Sequence, residues 1–539
     1  ELHLDIVGRM TLHHAQHALV TKSLQHRISF LFRCVPCGDR GTFETFANRY
    51  DKALRSIPMR ICHHLDLSST AIQLIHLPPY LGGLGYRRWM DVADAAFLAS
   101  YCFARYWVPK FFPSLQPAFP DARYPDFASI ETSAYQDRAR EAAAAYLRIQ
   151  HMGGISVSDR LCITDKDNKK ERSLHHIQRD LTEVGDTYRA SLLELSLRSS
   201  SQPRDQQRLA YHLSARADSL SFSAIPFDSD TKLSNRTLQV AMSLRLLEPI
   251  LPFSENLPST LRLQCPCCLS YGAGPQGDGA KQFLASKKDV DHWGYHAYRC
   301  YVAGNPARTS AHHDKIALIW FRLLRHAGFI VKYEPRSQVL NSEKRPDVMI
   351  EHNSGKKEHL DVRTCDPLLR GSGTPVFTRC SETPGTAADL GANFKNKSWK
   401  EIVELQGDTF IPLCHETPGF IGDAALHLLG RAAARFSSSN PQRNAFKTFW
   451  LTRLHVANIR GVAETIQQHM PFYADDPFSQ RYTEEFHSHP SPFAEFFNQV
   501  PCASRPVSRN MRATFSESPG LVEGATPQIV FERECENDV

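Results

Sequence analysis

The sequence predicts a multidomain, mostly α-helical protein that contains one small α/β core and one zinc knuckle. Three observations predict this. Apolar residues recur at helical spacing in the first part of the chain, paired Cys and His residues follow residue 264, and three short strand-like runs follow residue 328. A chain of 539 residues with 42% hydrophobic content is long enough for two to four domains.

Composition narrows the function classes only slightly. A net charge of +6 permits a nucleic-acid partner without predicting one. The absence of a long apolar run and of a secretory signal pattern predicts an intracellular protein, nuclear or cytoplasmic, with no membrane partner. Fourteen cysteines then indicate buried thiols and metal ligands rather than disulfides. Because the chain opens at Glu1 and not at methionine, we expect a piece of a longer polypeptide.

The first predicted unit, residues 1–125, is helical. Apolar side chains from Phe46 to Ile61 fall every three or four positions, and the turn Gly82-Gly83-Leu84-Gly85 precedes another helix through Ala93 and Tyr101. The remaining predicted units are a helical spacer (126–255), a zinc knuckle (256–305), an α/β core (306–435), a helical extension (436–487) and a largely disordered tail (488–539).

Cysteine and histidine spacing predicts the zinc knuckle. Cys265-Pro266-Cys267-Cys268 is followed, after 27 intervening residues, by His296, and Cys300 comes four residues later. A Cys-x2-Cys turn and a His-x3-Cys pair give the four donors of a closed, structural Zn²⁺ site. The predicted ligands are Cys265, Cys268, His296 and Cys300, with Cys267 and His292 as rivals for the second and third positions.

Two other interpretations of this segment stay open. The cysteines can be buried thiols without a metal. Asp291-His292 after a Cys pair also faintly resembles an HNH nuclease, although the long helix predicted next does not suit that fold.

The predicted α/β core begins with a helix from Ser310 to Ala327, ended by Gly328. Strands are predicted at Phe329–Glu334, Asp347–Ile350 and His359–Thr364, with a hairpin turn at Asn353–Lys357.

Two acids of this hairpin carry the functional hypothesis. Asp347 follows Arg345-Pro346, and 13 residues separate it from Asp361, which lies in the apolar frame Leu360-Asp361-Val362. In an even register both carboxylates point to one face as diagonal neighbours, where Mg²⁺ would offset their repulsion. Such an ion supports phosphodiester hydrolysis. The alternative is a solvated hairpin whose acids merely face water.

Pro346-Asp347 and Asp361, together with the knuckle and the His313-Asp314 helix start, resemble the restriction-like PD-(D/E)xK endonuclease region of non-LTR retrotransposon polyproteins. The resemblance implies a restriction-endonuclease-like α/β core that nicks target DNA and a reverse transcriptase domain in the same parent polyprotein. It also implies DNA, and the RNA of the element, as partners.

The chain departs from the family at Arg363, which stands where a lysine is expected beside the second acid. An arginine cannot act as a base near neutral pH. In the retroelement group the lysine comes from the next helix in a Lys-x3-aromatic pattern, which Lys395-Asn396-Lys397-Ser398-Trp399 matches. The resemblance therefore implies Lys395 as the catalytic lysine, with Lys397 as a fallback. Phe410-Ile411-Pro412-Leu413 resembles the family's closing segment.

Outside the core the resemblance is weaker. Leu77–Gly85 and Ala93–Ser100 resemble the thumb-like helices that follow a retroelement reverse transcriptase. Tyr473-Ala474-Asp475-Asp476 spells a polymerase metal-binding turn, but Pro477 would deny the following strand its hydrogen bonds, so we assign it no role.

Basic residues around the hairpin are the predicted DNA contacts, and phosphates would dominate the affinity. They are Lys332, Arg336, Lys344, Arg345 and Lys397. The competing hypothesis is a catalytically decayed remnant whose zinc module still binds nucleic acid.

Overall fold

The computed structural model describes the chain in segments. They are residues 7, 10–26, 40–64, 66–114, 140–146, 148–149, 174–250, 298, 305–335, 345–368 and 376–469. The described residues are mostly helical and include a four-stranded mixed sheet. This confirms the mostly helical class with a small α/β part. The four predicted zinc ligands, the Tyr473–Asp476 motif and the predicted tail lie outside the described residues.

The N-terminal helices follow the predicted order. They are α1 (His13–Lys22), α2 (Arg40–Cys62), α3 (Ser69–His76) and α4 (Trp89–Phe111), with a 3₁₀ turn at Leu24–His26 after α1. Ser68 caps α3 by accepting a hydrogen bond from the Ala71 amide at 3.2 Å. The glycine turn is confirmed between α3 and α4, and a Cβ at Gly83 would lie 2.0 Å from the Leu77 carbonyl oxygen.

Three further helices pack on this group. They are α5 (Leu174–Ser199), α6 (Pro203–Ala215) and α7 (Asn235–Arg245). Apolar residues of both groups form one buried cluster, which we call the helical core. Among its members are Val20, Leu54, Leu74, Tyr86, Trp89, Leu209, Leu238 and Met242. His17 links the two groups, since its ring nitrogens lie 2.9 Å from the Tyr86 hydroxyl and 2.8 Å from the Phe222 carbonyl oxygen.

The sheet unit begins with α8 (Asn305–His326), and Gly328 follows the helix with a φ of 83°, as a C-terminal cap requires. Its strands are β1 (Ile330–Tyr333), β2 (Val348–Glu351), β3 (Lys357–Cys365) and β4 (Thr409–Glu416). Its other helices are α9 (Val376–Glu382), α10 (Thr386–Glu404), α11 (Asp423–Phe436) and α12 (Asn440–His469). The three predicted strands and the hairpin turn, which has Gly355 at a φ of 81°, are confirmed.

The sheet order is β1-β2-β3-β4, with β1, β2 and β3 antiparallel and β4 parallel to β3. A parallel neighbour needs a crossover, and α9 and α10 lie in the connection between β3 and β4. Alternate residues of β3 therefore face two different layers. Leu360 and Val362 join α8, α11 and part of α12 in a second cluster, the sheet core. Asp361 and Arg363 belong to the face that α10 covers.

Helix α12 contributes to both clusters. Leu454 and Ala457 belong to the sheet core, whereas Val456, Ile459 and Val462 belong to the helical core. The segment predicted as a helical extension therefore joins the two halves of the molecule. None of the described helices is both long and apolar enough to cross a lipid bilayer.

Candidate active site

The hairpin places the two predicted acids against each other. Val348, the residue after Asp347, pairs with Leu360, the residue before Asp361. The two acids therefore come together where the pairing of β2 with β3 ends. The Asp347 amide donates to the Leu360 carbonyl at 3.1 Å, and Asp347 Oδ2 accepts from the Val362 amide at 2.6 Å. The carboxyl groups lie within hydrogen-bonding distance of each other.

Helix α10 brings the predicted lysine to this pair. The Lys395 ammonium contacts Asp361 Oδ2. Gly391, one helical turn earlier, lets the helix approach the sheet closely, because a Cβ there would lie 2.4 Å from Cys365 Sγ. One turn later, the Trp399 ring stacks on Phe410 of β4, with centroids 5.7 Å apart and planes 5° from parallel. The Lys-x3-aromatic spacing therefore puts the amino group at the acids and the aromatic anchor on β4.

His313 is a fourth member that the sequence predicted only as part of a helix start. From α8, its Nε2 lies 3.1 Å from Asp347 Oδ2 and 3.1 Å from the Val362 carbonyl oxygen. Its Nδ1 lies 3.0 Å from Asp314 Oδ1. Because α8 crosses the sheet from a distant part of the sequence, only the tertiary fold reveals this contact.

The electrostatics of the pair are asymmetric. Burial raises the pKa of Asp361 to about 6; Lys395 opposes that rise and Asp347 adds to it. Burial also acts to raise the pKa of Asp347, but the hydrogen bond and charge of His313 and the Val362 amide outweigh it, so the pKa is lowered. Burial acts to lower the pKa of His313, whereas its two carboxylate neighbours raise it to about 9.

The oxygen donors of Asp347 and Asp361 suit a hard divalent cation. Two carboxylates converge on one face, and 17% of the Asp347 side chain and 20% of the Lys395 side chain are exposed. Mg²⁺ is commonly held by one or two carboxylates and several water molecules. Among the residues that the structure describes, no group of three or more His, Cys, Asp and Glu side chains is arranged to hold a metal ion. A cation here would therefore rely on Asp347, Asp361 and water.

The predicted DNA-contacting residues differ in their surroundings. Lys397 is exposed on α10, two residues beyond Lys395. Lys332 and Arg345 each lie beside a carboxylate: Lys332 Nζ is 2.7 Å from Glu351, and Arg345 is 3.0 Å from Glu334. Arg336 and Lys344 lie outside the described residues.

Arg363 has a role that its sequence position does not reveal. Its guanidinium lies over the Phe394 ring, 4.3 Å from the centroid. The cation that contacts Asp361 comes from Lys395.

No protein-family model and no curated protein matches the chain. The functional assignment therefore depends on the geometry of the site.

Proposed function

We propose that the sheet unit is a Mg²⁺-dependent DNA endonuclease with Asp347, Asp361 and Lys395 as its catalytic residues. The observation that carries the proposal is the contact between the two largely buried carboxylates of Asp347 and Asp361, with an ammonium group on one of them. Lys395 contacts Asp361 and His313 contacts Asp347, yet the pKa of Asp361 remains raised, so a divalent cation would stabilise the pair further.

Asp347 and Asp361 would hold the ion. A bound Mg²⁺ would polarise the phosphodiester and lower the pKa of a coordinated water molecule.

The protein's own groups would do the remaining work. The Lys395 ammonium lies beside Asp361 and would stabilise the negative charge that develops on the phosphate oxygens, as well as orient the attacking water. His313 holds the Asp347 carboxylate in place by bridging it to the β3 backbone. The exposed Lys397 would contact a neighbouring phosphate.

The resemblance to the retroelement endonucleases supports target nicking as the biological reaction. In this proposal the unit belongs to a retrotransposon-encoded protein that acts on DNA and on the element's RNA. A Zn²⁺ site at Cys265, Cys268, His296 and Cys300 would add a nucleic-acid contact.

A plasmid-nicking assay with the full chain tests the proposal. Supercoiled DNA is incubated with Mg²⁺ and with wild type, Asp347→Asn, Asp361→Asn or Lys395→Met. We expect the acid variants to lose at least about 10³-fold in rate, since the loss of a bound metal removes several kcal/mol of transition-state stabilisation. We expect Lys395→Met to lose about 10²-fold.

Helix α10 supplies matched controls. Lys400 and Glu404 form an exposed pair 3.8 Å apart on the same helix, so Lys400→Met and Glu404→Gln should nick like wild type. Equal rates in wild type and the acid variants would rule out catalysis by this pair. A wild type that binds DNA but never nicks it would support the decayed-remnant hypothesis instead.

A further inference from the structure

An exposed aromatic residue immediately precedes the proposed catalytic lysine on α10. Phe394 is 57% exposed and immediately precedes Lys395, whereas Trp399 and Val403 of the same helix are buried. An isolated exposed phenylalanine is ordinary on a protein surface. The position of Phe394 next to Lys395 and the cation on its ring set it apart.

The cation on the ring is built into the sheet. Arg363 follows Asp361 by two residues on β3, so both side chains emerge on the face covered by α10. The Arg363 side chain runs past Gly391, where an added Cβ would lie 3.2 Å from its Cδ, and ends over the Phe394 ring at 4.3 Å. More than half of the phenylalanine stays exposed despite this contact.

An exposed ring with an adjoining guanidinium has the chemistry of a nucleotide contact. Aromatic rings bind nucleobases by stacking, and arginine binds phosphate or adds a cation–π contribution. Inside a duplex both faces of each base are already stacked on neighbouring pairs. A ring beside the cleavage site can therefore stack only on a base that has left the duplex or was never paired.

We propose that Phe394 and Arg363 bind an unpaired nucleotide next to the phosphodiester held by Asp347, Asp361 and Lys395. The inference rests on the proposed endonuclease function and deepens it. The preferred substrate is DNA with a single-stranded or frayed nucleotide at the cleavage point, not uniform duplex.

Binding measured without cleavage tests this inference. Ca²⁺ replaces Mg²⁺, and fluorescence anisotropy compares a fully paired oligonucleotide with one of the same sequence that carries a few unpaired nucleotides. A third DNA has abasic sites at the unpaired positions. We expect wild type to prefer the unpaired DNA, and both Phe394→Ala and the abasic DNA to reduce that preference about tenfold.

Two further variants sharpen the result. Phe394→Trp retains a stacking surface and should keep the preference. Phe227→Ala removes a ring that is 84% exposed on the connection between α6 and α7 and serves as the matched control. Equal affinity of wild type for paired and unpaired DNA would overturn the inference, as would an unchanged preference in Phe394→Ala or on abasic DNA.

Nicking of the same DNAs with Mg²⁺ separates the two proposals. A binding preference without cleavage of any DNA would overturn the endonuclease and leave the nucleotide contact. Cleavage of paired and unpaired DNA at the same rate, by wild type and Phe394→Ala alike, would support the endonuclease and overturn the nucleotide contact.

Discussion

Two buried carboxylates of this molecule, at Asp218 and Asp361, have pKa values that are shifted in opposite directions. Asp218, fully buried between α6 and α7, lies 2.8 Å from His455 Nδ1 and accepts hydrogen bonds from the Leu220 and Ser221 amides. Burial acts to raise its pKa, but His455, Arg245 and Ser221 together hold the pKa down at about 2. Burial raises the pKa of Asp361 to about 6, and there the neighbouring Asp347 carboxylate adds to the rise while Lys395 opposes it.

The opposite pKa shifts distinguish a structural carboxylate, Asp218, from Asp361, whose environment is typical of a functional site. The Asp218 cluster joins two parts of the fold: Arg245 of α7 donates to the Ala215 and Asp218 carbonyls at 2.6 and 2.8 Å, and His455 comes from α12. Its charges are neutralised within the protein. At the Asp347–Asp361 pair, Lys395 and His313 each contact one acid, yet the pKa of Asp361 stays raised, so a cation from outside would offset the remaining repulsion between the carboxylates.

The largest expected effect is on the neutralised cluster. Asp218→Ala leaves His455 and Arg245 buried without their carboxylate and should lower the free energy of unfolding by about 3–5 kcal/mol. Urea denaturation followed by circular dichroism measures this loss. Asp230→Ala is the control, because that acid pairs with Arg322 at 3.3 Å in a half-exposed position and should cost less than about 1 kcal/mol. A similar cost for both variants would contradict the comparison.

A smaller change in the free energy of unfolding, of opposite sign, is expected at Asp361. The pKa of Asp361 is raised from 3.8 to about 6, so at pH values above about 6 its ionised form destabilises the fold. In EDTA near pH 8, Asp361→Asn should therefore raise the free energy of unfolding by about 1–2 kcal/mol, after allowance for the lost Lys395 contact. Thermal denaturation measures the change, and Mg²⁺ should stabilise wild type more than the variant. A variant less stable than wild type in EDTA would show that the acids do not repel.

The smallest effect concerns a buried neutral histidine that links strand β4 to helix α8. The pKa of His415 is lowered to about 3 by burial, with His455 and His312 adding to the shift, and its Nε2 accepts from Trp320 Nε1 at 2.9 Å. Because the pKa is lower in the folded state than in the unfolded chain, its stabilising contribution is complete above about 6.5 and is lost as the pH falls towards 3. His415→Gln should reduce this loss by about 1 kcal/mol between about pH 6.5 and about pH 5.5.

Urea denaturation of wild type and His415→Gln across that pH range measures the slope. His427→Gln, which changes an exposed histidine on α11, is the control. An identical slope in wild type and His415→Gln would contradict the assignment of a neutral buried His415.

The sequence predicted much of the local structure of the site and few of the contacts between its separate elements. Gly328 and the turn at Asn353–Lys357 mark the ends of α8 and of the hairpin strands because such signals act over a few residues. The family resemblance implied Lys395 through its Lys-x3-aromatic pattern, and the Lys395 ammonium does contact Asp361. The contact between Asp347 and Asp361 depends on the exact register of β2 against β3, which the turn residues alone did not fix.

Other members of the site arise only from tertiary packing. His313 reaches Asp347 because α8 packs across the sheet, and Arg363 meets Phe394 because Gly391 allows α10 to approach β3. Neither contact has a spacing signal, because the residues involved lie on separate elements. The packing of the helices between 203 and 250 against the sheet unit could not be predicted from the sequence for the same reason.

Helix α12 gives the molecule a mechanical property of its own. Neighbouring residues on this helix are buried in different clusters: Leu454 and Ala457 in the sheet core, Val456 and Ile459 in the helical core. Sliding or rotation of one half against the other would expose apolar side chains on at least one side of the helix. The hairpin that carries Asp347 and Asp361 therefore has a fixed orientation relative to the N-terminal helices, so a nucleic acid gripped by one half would be presented to the other at a set angle.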